Sequence, residues 1–168
     1  TWNRDGVIVF APWSGSPLMR VSALGGLPTP ATSFAKTDRI HAWPQFLPDG
    51  LHFLYFAAAD DGTKGIYVQA LGSSKRVLVL SNLVRGAWAP PDYLLFVRGG
   101  TLYAQHMNLT TFRVEGEPVS VAQEVTNNES NGRAAFAVSE SGVLVYRGGL
   151  FSSMRQLTWF DRHGNKAR

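Results

Sequence analysis

The residues that could do chemistry are few and dispersed. Histidine occurs at His41, His52, His106 and His163, without the close spacing that metal ligands share. Each therefore reads as a strand or loop residue rather than as a ligand or a general base. Asp60-Asp61-Gly62 clusters the oxygens that a hard cation wants, but the position of the closing glutamate of a calcium loop is Leu71, so the run reads as a hairpin turn. Asn108-Leu109-Thr110 and Asn128-Glu129-Ser130 are formal glycosylation sequons, a number that chance supplies in such a chain. Cysteine is absent, which excludes disulfides and thiolate metal sites. Phosphotransfer would need a Gly-rich phosphate loop, a pairing lysine, a His-Arg-Asp loop and a metal-binding Asp-Phe-Gly; none occurs. Neither a Gly-x-Ser-x-Gly elbow nor a His-Glu-x-x-His pair is present. No catalytic, cofactor-binding or metal residue is assigned, and the chain itself is expected not to be an enzyme.

What must position any site is a repeat. Phe46-Leu47-Pro48-Asp49-Gly50 followed by His52-Phe53-Leu54-Tyr55-Phe56 reads as a strand end, a tight turn and a buried strand. The same order recurs as Trp2 to Gly6 before Val7–Phe10, as Trp88 to Asp92 before Tyr93–Val97, and as Phe136 to Gly142 before Val143–Tyr146. The aromatic anchors at 2, 46, 88 and 136 are 44, 42 and 48 residues apart. A third strand follows each anchor: Leu18–Leu24, Gly65–Leu71, Thr101–Met107 and Gln156–Asp161. A fourth is visible as Arg76–Leu80 and Pro118–Ala122. A period of roughly 40–50 residues built of four short strands is that of a propeller blade. The expectation is an all-β chain forming a β-propeller arc of about four four-stranded antiparallel blades, incomplete at both ends. The approximate units are 1–40, 41–83, 84–130 and 131–168. Such an arc is expected to belong to a larger ring, with the remaining blades as its first partners, and to leave apolar sheet faces uncovered when alone. The chain opens in mid-repeat, so a start other than a natural terminus is expected.

Apolar residues at 45% and charged residues at 17% exclude a disordered chain. No apolar run approaches the ~20 residues of a membrane span, so no membrane contact is expected of this segment. The net charge of +4 is not spread evenly. Residues 1–130 hold ten Lys/Arg and ten Asp/Glu, and the excess lies in Arg133, Arg147, Arg155, Arg162, Lys166 and Arg168. These arginines fall on several strands and loops without aromatic interleaving, which favours a solvated rim over a nucleic-acid surface. The anchors Trp2, Phe46, Trp88 and Phe136 could line a channel mouth, but their presence in every unit favours the role of an apolar plug between blades. Trp13 and the 110–117 excursion, with Thr111, Phe112 and Arg113, break the repeat and are the expected contacts for a ligand or partner.

The Phe-x-Pro-Asp-Gly-x-x-x-Leu-Tyr-Phe order at 46–56 resembles TolB-type, WD-repeat-like bacterial propellers. Leu95 to Gln105, Gly116-Glu117-Pro118-Val119, Phe136 to Arg147 and Gln156 to Gly164 resemble the C-terminal propellers of bacterial eukaryotic-type serine/threonine protein kinases. The resemblance implies a non-catalytic sensor, ligand-binding or protein-interaction module attached to a kinase domain. It also implies a place on the extracytoplasmic side of a bacterial envelope and a protein, peptide or small-molecule ligand. Two alternatives stay open: the gating propeller of a prolyl-oligopeptidase-type serine peptidase, and a periplasmic TolB-type interaction protein.

Overall fold

Short apolar runs broken by Pro, Asp, Asn and Gly cannot sustain a helix, but they alternate well enough to pair as antiparallel strands. The computed structural model describes residues 1–149, and among these there is no helix. The chain forms one meander after another. The first sheet joins β1 (Val7–Phe10), β2 (Met19–Ser22) and the two-residue β3 (Thr29–Pro30). The second runs β4 (Asp38–Phe46), β5 (His52–Ala59), β6 (Lys64–Ala70) and β7 (Arg76–Ser81). The third repeats that order with β8 (Gly86–Ala89), β9 (Tyr93–Arg98), β10 (Thr101–Asn108) and β11 (Arg113–Ala122). Then come two short ladders, β12 (Asn127–Asn128) with β13 (Arg133–Ala134), and β14 (Phe136–Val138) with β15 (Leu144–Tyr146). All pairings are antiparallel between chain neighbours.

Four-stranded antiparallel sheets are therefore present twice, over 38–81 and 86–122. The first unit has three strands, and the fourth shows two two-stranded ladders among the described residues. The expected strand Gln156–Asp161, the following turn and His163 lie outside the described residues. The 110–117 stretch is not a projecting excursion. Asn108 pairs with Arg113, so residues 109–112 make a tight turn and 113–122 form a ten-residue strand.

Successive sheets lean on one another, with β1 against β4, β5 against β8, and β8 against β14. Three apolar clusters fill the seams. Val9 and Leu18 of the first sheet meet Phe53, Tyr55 and Tyr67 of the second. Leu54, Ile66 and Val68 meet Leu94, Phe96 and Met107 of the third. Ala87, Leu95 and Leu102 meet Val125, Ala134 and Phe136. Each large side chain so buried contributes about 1.5–3 kcal/mol. Contact is close enough at Gly132, φ +67°, that a Cβ there would fall 2.3 Å from the Phe56 ring. Only glycine fits both that space and that backbone.

The anchors are not equivalent. Phe136 is buried, and Phe46 and Trp88 are partly buried against the seams. Trp2 is 65% exposed in an isolated bridge to Ile8 and plugs nothing among the described residues. The expected common plug thus fails at the first unit, where the indole stays mostly exposed.

Candidate functional site

Strand direction assigns each turn to one of two ends of the sheets. The Pro48-Asp49-Gly50 turn follows β4, and Gly50 supplies the positive φ of +71° that the turn requires. Asp49 accepts the backbone N–H of Leu51 and His52 at 2.9 Å, and the His52 ring Nδ1 donates to its other oxygen at 2.5 Å. Burial pushes the Asp49 carboxyl upward, but these hydrogen bonds outweigh it and hold the group below its ordinary value. The neighbouring turn of the first sheet docks here. Asn3 accepts from the N–H of Asp5 and Val7 and donates to the Gly50 carbonyl at 2.7 Å, while Arg4 donates to the Asp49 carbonyl at 3.2 Å. From the other side Gln45 grips the Trp88 backbone, accepting its N–H at 2.8 Å and donating to its carbonyl at 3.1 Å.

These linkages bring the segment before β1, the end of β4, Trp88 of β8 and the end of β14 together around one concavity of about 590 Å³. Trp2, Phe46 and Trp88 give it aromatic walls; Asn3, Arg4, Gln45, Ser139 and Glu140 give it polar ones. The Trp88 Nε1 is a buried donor without a hydrogen-bond partner among the described residues.

The expected contact residues are not gathered in one place. Trp13, 68% exposed, lies on the loop after β1, at the end of the first sheet away from the Asp49 turn. Thr111, Phe112 and Arg113 lie at the Asp49 end, because the half-buried Phe112 ring meets the His52 ring at 4.7 Å. Thr111 and Arg113 are exposed, whereas Phe112 packs on the seam between second and third sheets. Among the described residues no hydrogen bond or ring contact joins Trp13 to that turn.

Each described histidine is beside a carboxylate, which sequence reading missed. His52 meets Asp49, and His106 donates to Asp92 at 2.9 Å with Glu115 3.5 Å away. His41 lies 3.4 Å from Asp38. The repeated Asp-x-x-His at 38–41 and 49–52 was the available signal. Among the described residues no group of three or more His, Asp or Glu could hold a metal ion.

The His41 group has the residue types of a nucleophile, a base and an orienting acid, but it is closed to substrate. Thr32, His41 and Asp38 are all buried. His41 shares a 2.9 Å hydrogen bond with Thr32, and Arg76 approaches its Nε2 at 3.1 Å. The assignment that pairs both donors has Arg76 donating to Nε2 and the ring Nδ1–H donating to Thr32 Oγ1, which requires a neutral ring. Burial brings the His41 pKa down to about 4, against the pull of Asp38 and with help from Arg76. Tyr55 beside it is pushed up to about 12 by burial. Thr32 also accepts the Leu18 N–H at 3.0 Å, so the group ties the first sheet to the second.

No family model, no curated protein and no solved structure matches this chain.

Proposed function

We propose that the chain is an arc of a β-propeller and serves as a non-catalytic recognition segment, binding a protein or peptide at the Asp49 end of its sheets. The observation that carries this reading is the convergence of four consecutive units on one concavity walled by three repeat anchors. The succession of meanders, each leaning on the next, supports the arc. The interior polar groups are engaged in holding sheets together, which supports recognition over turnover. The resemblance of Leu95–Gln105 and Phe136–Arg147 to kinase-linked bacterial propellers supports a sensing or docking role in an envelope signalling protein.

The test is panning of a random short-peptide display library on the purified chain, with phosphotransfer from ATP and peptide hydrolysis assayed in parallel. Selected peptides should bind in the micromolar range and photo-crosslink to residues of the concavity, without turnover. Failure to enrich any peptide, crosslinking confined to the opposite end, or measurable turnover would each overturn the reading.

A further inference from the structure

We infer that the concavity takes a basic side chain, arginine or lysine, from an extended segment of a partner protein. Its aliphatic stem lies against Trp2, Phe46 and Trp88, and its charge is met by Glu140. This rests on the recognition reading above and specifies its ligand.

The charges at this end decide the class. Asp49 and Asp92 are each hydrogen-bonded by a histidine, so their charge is partly answered. Asp5 and Glu140 have no side-chain hydrogen bond or ion pair among the described residues, and Glu140 lines the concavity. Arg4, the cationic side chain on its wall, keeps its charge but is drawn to the Gly50 side by its bond to the Asp49 carbonyl, and among the described residues it makes no ion pair with Glu140. At the opposite end Glu129 lines a concavity together with Lys64 and Arg98, and Glu124 lines one without an aromatic side chain, so carboxylate and aromatic surface are not combined there. The Asp49 end therefore presents unanswered carboxylate beside exposed aromatic surface.

That pairing suits a long cationic side chain. Arginine and lysine carry apolar stems that cover aromatic surface, and their heads are attracted both to a ring face and to a carboxylate. A purely apolar ligand would desolvate Glu140 without a partner, and an acidic one would face it directly. The Glu140 turn is ordered to receive such a group. Ser139 Oγ accepts the Val143 N–H at 3.0 Å and lies 2.9 Å from the Ser141 hydroxyl. A volume near 590 Å³ holds a few residues rather than one, which favours a peptide segment over an isolated amino acid.

The experiment measures binding of short acetylated, amidated peptides with a central Arg, Lys, Gln or Glu among alanines, at low and high salt, with N-acetylarginine amide alongside. The Arg and Lys peptides should bind at least about tenfold more tightly than the Gln peptide, and the preference should shrink with salt. N-acetylarginine amide should bind more weakly than the Arg peptide. Glu140→Gln should abolish the basic preference without changing affinity for the Gln peptide. Trp2→Ala should weaken all basic ligands; both side chains are exposed, so neither variant threatens the fold. Affinity independent of the central residue, or a preference unaltered by Glu140→Gln, overturns the inference. If library-selected peptides without basic residues bind and the Arg peptide does not, the inference falls and the recognition reading stands. If no peptide binds, both fall.

Discussion

The first and second sheets are written in the same residues and buried to different depths. Val7–Phe10 and Phe53–Phe56 occupy the same place in the repeat, yet β5 is buried over six consecutive residues while β1 buries only Val9. Phe56 is 1% exposed and its counterpart Phe10 is only partly covered. The second sheet has the first on one side and the third on the other. Among the described residues the first sheet has a neighbour on one side alone. In a stacked-sheet architecture an apolar strand does not bury itself; its neighbours do.

The sharpest way to break this comparison is to truncate the matched pair. Phe56→Ala should cost about 3–5 kcal/mol in urea unfolding, because the ring fills a sealed seam and Gly132 cannot follow it inward. Phe10→Ala should cost under about 1 kcal/mol. Equal losses would mean that the two sheets are covered alike, and the argument from neighbours would fail.

The next largest effect lies at the seam between these sheets. His41 is held neutral with its pKa near 4, whereas in the unfolded chain it protonates near 6.5. Between those values the unfolded state binds more protons, so stability should fall as pH drops from 6.5 to 4 and be flat above. The full loss from this group is on the order of 3 kcal/mol. Chemical denaturation across pH should show this slope, and His41→Gln should remove most of it. A wild-type curve level from pH 7 to 4 would contradict the buried, neutral ring.

Much of this was legible in the sequence, for reasons that differ by element. The Phe46-to-Phe56 hairpin was readable because turn chemistry and β-branched or aromatic runs are local signals. The 109–112 turn was not: the 110–117 stretch breaks the repeat and reads as an excursion, whereas the ladder continues through it with a register shift. The plug role assigned to Trp2 failed because burial depends on a neighbour, which no local pattern specifies. The site was legible only in part. Aromatic anchors at the strand ends were visible as a possible channel mouth, but Glu140 came into view only when β14 was seen beside β8. Thr111 and Phe112 lie in the turn, but Arg113 opens β11 and Phe112 is used in packing.

The smallest effect worth measuring separates the two seams of the second sheet. Toward the first sheet the polar links are the hydrogen bond between the neutral His41 ring and Thr32, and Asn3 donating to the Gly50 carbonyl; toward the third they are Gln45, bound twice to the Trp88 backbone, and Asn82, donating to the Val97 carbonyl. Gln45→Ala removes both bonds but leaves backbone groups that water can reach at a partly buried position. It should therefore cost about 1–2 kcal/mol. Gln45→Glu keeps the bond from the Trp88 N–H and sets a carboxylate against the Trp88 carbonyl, so it should be no better than alanine near neutral pH and improve once protonated. If Gln45→Ala leaves unfolding unchanged while Asn3→Ala, at the other docking turn, costs its expected ~1–3 kcal/mol, then apolar packing and the Asn82 amide hold the second sheet to the third without it. The Gln45 amide would then only line the concavity.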